Sequence, residues 1–408
     1  MSIRFNYKLF ILVSVPLLNA LADLTAHFFG SGFHTGHLRG GIFIAIILFC
    51  YTKYQKNIIN NLILIFSLFL LILVLLSNNF SKSFDTYLKF ATSINMFMVG
   101  YVLSSRQEYF IPILKTILFS LLCIISYLGL AQIVPGLGES GYSELKLPSL
   151  GEGKGTGVYI LNQISYLTIL LPIFYYQDKI RKSHKLIFIL LTIASAVILI
   201  LVFRRAALIV FVVGFIIISL FNLKNKKQLR LFLGVTALLV VFSPYLVEQL
   251  SDRIQERGGI DEMTDDNYSR AFDIMMAIDA SQNRTVVPLF FGEYSKIFAH
   301  VRVSWRIIGR KVHNDFAAIF LGSGLIGLFL FVYIHYSILK FNYTIYRRSK
   351  DRLKSILMGT IVAFLVATII QSMANQYWNI TSLSTVFFFM GVVTKHNKLT
   401  ANYSTRVL

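Results

Sequence analysis

The chain has 408 residues, of which 56% are hydrophobic and only 14% are charged, and its formal net charge is +20 at pH 7. Soluble domains carry about 25% charged residues, so the composition excludes an ordinary soluble protein. Most of the cations fall in alternate short loops between apolar segments, which indicates a lipid bilayer as the partner and argues against nucleic acid. The two cysteines, Cys50 and Cys123, lie in apolar segments, so no disulfide framework is indicated.

Runs of roughly 20 apolar residues recur along the whole chain, as helices that cross a bilayer require. No strand-like alternation competes with this pattern. We therefore predict an all-α polytopic membrane protein of about twelve transmembrane helices, at 7–23, 38–54, 59–77, 84–104, 109–133, 157–176, 184–202, 206–222, 230–247, 314–339, 354–371 and 378–394. Residues 1–247 then hold helices 1–9, residues 248–312 form a large outer loop, and residues 313–408 hold helices 10–12 and a tail.

Lysine and arginine are unevenly divided between the two sides of the predicted bundle. One set of alternate loops and both termini hold twenty-two of them, whereas the short loops of the other side hold six. The positive-inside rule therefore assigns both termini to the cytoplasm. Residues 248–312 then lie on the outer side, and such a long loop is usually functional. Within it, Ala271, Ile274, Met275 and Ile278 follow a helical spacing, which predicts an amphipathic helix near 268–280.

The end of the outer loop carries the strongest chemical signal. Arg302, Arg306 and Arg310 are spaced four apart, and His313 follows three residues later, so a helix would place all four on one face. Guanidinium groups bind phosphate with two parallel hydrogen bonds, and a neutral histidine can accept a proton. The alternative interpretation of His313 is an interfacial histidine at a helix start. Asp315 is interpreted as a helix cap.

Arg204 and Arg205 form a second candidate, in a very short outer connection between two apolar helices. They either anchor a helix end by extending to the interface or serve a function, because cations are otherwise kept off this side. The acidic cluster from Asp261 to Asp266 is interpreted as a solvated loop rather than a metal site. Since the sequence has no His/Cys metal spacing and no phosphate-binding glycine loop, we predict neither a metal nor another cofactor.

Three stretches resemble the O-antigen ligase/polymerase superfamily of bacterial envelope glycan enzymes. His313-Asn314, nine residues and Gly324-Leu-Ile-Gly327 match the family pattern H-[NSQ]-x9-G-x-x-G. Arg204-Arg-Ala-Ala-Leu208 resembles its R-x3-L motif, and because the family often has Ser-Arg there, the register between Arg204 and Arg205 is open. Ser269-Arg270, with Pro288 and Gly292 beyond, is similar to an arginine-led helix in the large outer loop of the family.

The resemblance implies a GT-C-like fold in the bacterial inner membrane, with a site that faces the periplasm and needs no metal. It implies a donor glycan linked to undecaprenyl diphosphate. His313 would then be the general base for the acceptor hydroxyl. Arginines would stabilise the diphosphate leaving group, with Arg204, Arg205, Arg270, Arg302, Arg306 and Arg310 as the candidates.

The family divides by acceptor, and the sequence does not separate its two branches. A polymerase joins one lipid-linked repeat unit to another, whereas a ligase transfers the glycan to the lipid A core. We take the polymerase as the main hypothesis, because polymerases are the more varied group, with the ligase as the alternative. Lipid A core or a chain-length regulator is then a further partner. A non-enzymatic glycan flippase is a hypothesis from another functional class. A flippase would line its cavity with charged residues along several helices, whereas here the candidate cations concentrate at the outer end of the predicted bundle.

Overall fold

The structure is a computed structural model that describes residues 6–25, 35–134, 137, 159–176, 182–202, 205–222, 233–234, 236–237, 240–255, 277–278, 285–292, 314–348, 351–373 and 380–404. In this described part every regular element is helical. The α-helices whose bounds are defined are α1 Tyr7–Thr25, α2 Thr35–Thr52, α3 Ile58–Leu75, α4 Phe80–Leu103, α5 Phe110–Ile133, α6 Tyr159–Leu170, α7 Lys182–Val202, α8 Arg205–Leu220, α9 Ser243–Gln255, α10 Val286–Phe291, α11 Asp315–Arg348, α12 Arg352–Ser372 and α13 Ile380–Ser404. Short 3-10 helices, Gln107–Tyr109 and Leu171–Tyr176, precede α5 and extend α6.

The helices have the length and composition of a membrane bundle. Among the residues that the structure describes, five stretches are long and apolar enough to cross a bilayer: Ile58–Leu75, Gln107–Ile133, Lys185–Val202, Asp315–Arg348 and Arg352–Ser372. Four shorter apolar helices accompany them, at Tyr7–Ala22, Leu38–Thr52, Ile160–Phe174 and Ala206–Leu220. The prediction of an all-α polytopic membrane protein is therefore confirmed, while the number of twelve spans and the GT-C-like arrangement stay predictions.

One predicted connection between helices agrees with the structure, and one predicted boundary differs from it. The predicted hairpin at 184–222 is present, since α7 ends at Val202 and α8 begins at Arg205. The predicted boundary between the ninth span and the outer loop, at 247/248, falls inside helix α9. A proline at the second position of α9, Pro244, fits the first turn because its missing N–H has no helical acceptor there. The predicted helix at 268–280 lies almost wholly outside the described residues.

Helices α4 and α13 form the tightest contact of the bundle, and glycine makes it possible. A Cβ atom on Gly100 would lie 2.2 Å from the backbone oxygen of Phe388, and one on Gly391 would lie 2.1 Å from that of Phe97. Helices in a membrane gain little from hydrophobic burial, so they associate through close packing at small residues. This pair therefore fixes the carboxyl-terminal part of α4 against the middle of α13, towards the side that the lysine and arginine count assigns to the cytoplasm.

Helix α11 is bent sharply at Gly324. This residue has φ 65° and ψ −167°, which lies in a region of backbone space that is essentially restricted to glycine. In a straight helix, side chains 15 residues apart would be separated by about 22 Å along the axis. The rings of Phe316 and Phe331 nevertheless have centroids 6.0 Å apart. The first limb, residues 315–323, therefore folds back towards the second limb, residues 325–348.

Gly292, at the end of α10, holds this bend in place. It has φ 74° and ψ −177°, so it occupies the same glycine-restricted region as Gly324. A Cβ on Gly292 would lie 2.4 Å from the backbone nitrogen of Gly324, and a Cβ on Gly324 would lie 2.6 Å from the backbone nitrogen of Gly292. Two backbones thus touch where neither residue can carry a side chain. The part of the outer loop that ends at Gly292 is fixed to the bend of α11 by this contact.

We predict that Gly324→Ala destabilises the protein. The backbone conformation alone costs an L-residue about 1–3 kcal/mol, and the new methyl group would lie 2.3 Å from the carbonyl oxygen of Phe290. Thermal unfolding of the purified protein in detergent measures the effect. Gly129→Ala in α5 is the matched control, since nothing lies within 4 Å of its Cβ position, and we expect this variant to be at least as stable as the wild type. A Gly324→Ala protein with unchanged stability would contradict the bend.

Candidate functional site

Most of the candidate site residues lie outside the described part of the chain. This applies to Arg204, Arg270, Arg302, Arg306, Arg310 and His313. The backbone of Arg205 is described and begins α8. The structure therefore defines the frame of the site through the residues that flank the candidates, at the start of α8, at the end of α10 and at the start of α11.

Asn314, directly after His313, caps the first limb of α11. Its side-chain Oδ1 accepts a hydrogen bond of 3.1 Å from the backbone N–H of Ala317, and its backbone oxygen accepts one of 2.9 Å from the N–H of Ala318. This is the geometry of an N-cap, in which a short polar side chain satisfies an N–H group that has no helical partner. The interpretation of Asp315 as the cap was wrong, because Asn314 takes that place and Asp315 is the first residue of the helix.

Asp315 and its neighbour lie inside the bundle. Asn314 is 2% exposed and Asp315 is 1% exposed. The carboxylate of Asp315 is close enough to the hydroxyl group of Tyr166 in α6 to interact with it electrostatically. The sequence suggested that the start of this helix lies at the membrane edge. The bend at Gly324 instead returns it into the interior, so that His313 is followed by two buried polar residues.

Helix α6 places four buried polar side chains within little more than one turn: Asn162, Gln163, Ser165 and Tyr166, which we call the α6 polar turn. Residues 162–166 point in different directions around a helix, because successive side chains are rotated by about 100° at 3.6 residues per turn. A helix that is buried all round must therefore present these groups to several neighbours at once. The α6 polar turn indeed contacts three other helices.

Hydrogen bonds link the α6 polar turn to α12, α1 and α8. Asn162 Oδ1 accepts a bond of 3.2 Å from the amide of Gln371, near the end of α12. The amide of Gln163 donates one of 3.1 Å to the backbone oxygen of Asn19 in α1. The hydroxyl group of Ser165 donates one of 2.8 Å to the backbone oxygen of Ala207, two residues after Arg205.

The network continues from α1 to α13. The side-chain amide of Asn19 lies 3.0 Å from the hydroxyl oxygen of Thr385 and 3.3 Å from that of Ser384, and both serine and threonine are buried. The residues involved lie in the halves of their helices that the lysine and arginine count assigns to the outer side. Five helices, α1, α6, α8, α12 and α13, thus meet in one buried polar layer.

Amide side chains within the apolar segments of the sequence indicate this buried polar layer. Asn162, Gln163 and Gln371 interrupt strongly apolar segments, and a polar side chain in a membrane helix is costly unless it is paired. Arg39, which the predicted span 38–54 contains, lies within α2 and is only 8% exposed. It adds a buried guanidinium group to the same side of the protein.

Metal ligands are not clustered in the described part of the chain. Within these residues, no group of three or more histidine, cysteine, aspartate or glutamate side chains has the proximity that a metal ion needs. The acidic residues from Asp261 to Asp266 lie outside the described residues, so the two interpretations of that cluster remain as the sequence left them.

Comparison with known proteins gives one match. Residues 189–332 match the family model described as O-antigen ligase. No curated protein matches the chain. The matched range begins in α7 and ends in α11, so it contains Arg204, Arg205, Arg270 and the whole pattern from His313 to Gly327. The resemblance found in these motifs is thereby confirmed: residues 189–332 are similar to the O-antigen ligase family.

Proposed function

We propose that the protein is a membrane glycosyltransferase that polymerises oligosaccharide repeat units linked to undecaprenyl diphosphate at the periplasmic face of the bacterial inner membrane. The product would be an O-antigen or a related surface polysaccharide. The observation that carries the proposal is the family match, which spans both candidate motifs. The buried polar layer supports it, because it joins α8, which begins within one of those motifs, to α1, α6, α12 and α13.

The proposed reaction is one in-line displacement at the anomeric carbon of the donor sugar. The hydroxyl group of the acceptor attacks this carbon, the bond to the diphosphate oxygen breaks, and the configuration inverts. His313 takes the proton from the attacking hydroxyl group, which a neutral imidazole can do near neutral pH. Guanidinium groups from among Arg204, Arg205, Arg270, Arg302, Arg306 and Arg310 hold the diphosphate and stabilise the charge that develops on it.

The cap and bend of α11 explain why the motif needs its particular residue types. Asn314 fixes the first turn of the limb that follows His313. Gly324 turns the limb back into the bundle, and Gly327 leaves room beside it, since a Cβ there would overlap the hydroxyl group of Ser323. A general base must be held in a fixed position to be effective, and these contacts give the residue after His313 such a position.

The α6 polar turn is better explained by function than by stability. Hydrogen bonds between membrane helices contribute about 0.6 kcal/mol each on average, so the layer adds little to the stability of the bundle. The hydroxyl group of Tyr166 has no hydrogen-bond partner among the described residues although it is fully buried. We infer that the layer forms the floor of the substrate site and that this hydroxyl group is available to the glycan or the acceptor.

A ligase is the second candidate, and one observation favours it. The matching family model is described as O-antigen ligase, so transfer of the glycan from undecaprenyl diphosphate to lipid A core uses the same proposed residues with another acceptor. A glycan flippase is the third candidate, from a different class. It would move the lipid-linked glycan without breaking the bond to the diphosphate.

We predict that His313→Ala abolishes glycan transfer and leaves the protein folded, because the general base is removed while the cap of α11 at Asn314 is retained. Transfer is measured by the appearance of longer glycans on gels, and folding by thermal unfolding in detergent. Val312→Ala, a truncation one residue away, is the matched control and should keep its activity. Full activity of His313→Ala at normal expression would remove the general base from the proposal.

We predict that the purified enzyme works in excess EDTA, because the arginines supply the positive charge that a metal would otherwise provide. Lipid-linked repeat units alone should give a ladder of longer chains, and adding Mg²⁺ or Mn²⁺ should not change the rate. Loss of activity that either ion restores would overturn the metal-free mechanism and would favour the cluster from Asp261 to Asp266 as ligands.

The same assay separates the three candidate functions. Chain growth from repeat units alone supports the polymerase. Product that forms only when lipid A core is added shifts the assignment to the ligase and leaves the chemistry at His313 unchanged. Movement of the lipid-linked glycan across vesicles without any product would instead identify a flippase.

A further inference from the structure

Three lysines converge at the opposite end of the bundle, on the side that the positive-inside rule assigns to the cytoplasm. Lys395 in α13 is only 8% exposed. Its Nζ donates a hydrogen bond of 2.8 Å to Oε1 of Gln55 and lies 4.8 Å from the centroid of the Tyr101 ring. A lysine at a membrane surface normally extends its ammonium group into water. Lys395 instead keeps its charge between the helices.

The other two lysines join the same place from two helices. Nζ of Lys398, in α13, lies 3.3 Å from the hydroxyl oxygen of Tyr101, so two lysines share one tyrosine. Nζ of Lys8, in α1, lies 3.4 Å from Oγ of Ser105, four residues after Tyr101. Both Lys8 and Lys398 are close enough to Lys395 for their charges to repel its charge. We call Lys8, Lys395 and Lys398 the lysine cluster.

The described residues do not balance this charge. The neighbouring carboxylate, that of Glu108, is paired with Arg106 at 3.1 Å. Within the described part of the chain, no carboxylate forms an ion pair with a member of the lysine cluster. The carboxyl end of α4, at Leu103, contributes roughly half a negative charge, which is far less than three ammonium groups carry. A cluster of like charges that is partly removed from water requires a counter-ion.

We propose that the lysine cluster binds the phosphate group of an anionic phospholipid from the cytoplasmic leaflet. Basic pockets between membrane helices on the cytoplasmic side suit such headgroups. The hydroxyl groups of Tyr101 and Ser105 and the amide of Gln55 supply further polar partners around the ammonium groups. Beside Lys8 on α1, Tyr7 is 41% exposed and Phe10 is 57% exposed, so apolar side chains continue from the cluster along the membrane face. Acyl chains need such a surface, whereas free phosphate does not.

Native mass spectrometry of the full chain, with phosphatidylglycerol added to the detergent-purified protein, tests this site. We expect bound phosphatidylglycerol on the wild type and little bound phosphatidylcholine, whose headgroup is zwitterionic. The double variant Lys8→Gln/Lys398→Gln should bind phosphatidylglycerol about thirtyfold more weakly, since each lysine near anionic lipid contributes about 1 kcal/mol. Lys395 is left in place in this variant because it is buried and its loss would disturb packing.

Lys340→Gln is the matched control. Lys340 also lies over a tyrosine ring, that of Tyr336 at 5.7 Å, on the same side of the protein but outside the cluster. This variant should bind phosphatidylglycerol as the wild type does. If the double variant unfolds without lipid, the single variant Lys398→Gln replaces it, with an expected loss of about fivefold.

Three outcomes would overturn the proposal. Unchanged phosphatidylglycerol binding in the folded variants would show that the lysines do not hold the lipid. Equal binding of phosphatidylcholine would show that the headgroup charge is irrelevant. Displacement of the lipid by millimolar inorganic phosphate would identify a free anion as the ligand. None of these outcomes bears on glycan transfer, which is proposed for the other face of the bundle.

Discussion

The backbone contact between Gly292 and Gly324 is the constraint on which the rest of the site depends. Two glycines in the same restricted conformation touch through atoms that any Cβ would displace. Because of this contact, α11 does not run straight through the membrane from its first residue. Its first nine residues form a separate limb, and the helix that ends at Gly292 is fixed against the turn.

The direction of that limb decides what surrounds the residue after His313. A straight helix would carry Asn314 and Asp315 away from the bundle into the outer aqueous phase. The bent helix buries both of them inside the bundle, which also contains the buried polar side chains of α6. From α6, hydrogen bonds extend to the outer parts of α1, α8 and α12. A local property of one glycine therefore determines the burial of the two residues that follow the proposed general base.

The sequence was sufficient to predict the helical membrane fold and the family, for clear physical reasons. Apolar runs of bilayer length have few other interpretations, and the spacing of His313, Gly324 and Gly327 is specific enough to be matched. The bend was not predictable from hydropathy, since residues 314–339 are apolar on both sides of Gly324. The α6 polar turn was also missed, because its significance depends on which helices surround α6, and that is a property of the tertiary fold. The assignment of Asp315 as a cap failed because two neighbouring residues both have suitable side chains, and only the geometry distinguishes them.

The most direct test of this account is chemical cross-linking across the bend. Cysteines replace Phe316 and Phe331 in a chain whose two native cysteines, Cys50 and Cys123, have been changed to alanine. A short bismaleimide should join the two positions within one chain, since the native rings are 6.0 Å apart. A control pair at Phe331 and Tyr346 has the same sequence separation within the second limb, where a helix places them about 22 Å apart, and should not cross-link. Mass spectrometry of the digested protein identifies the joined peptides. A cross-link in the first pair alone is the predicted result, and its absence from both pairs would contradict the bent helix and the site built on it.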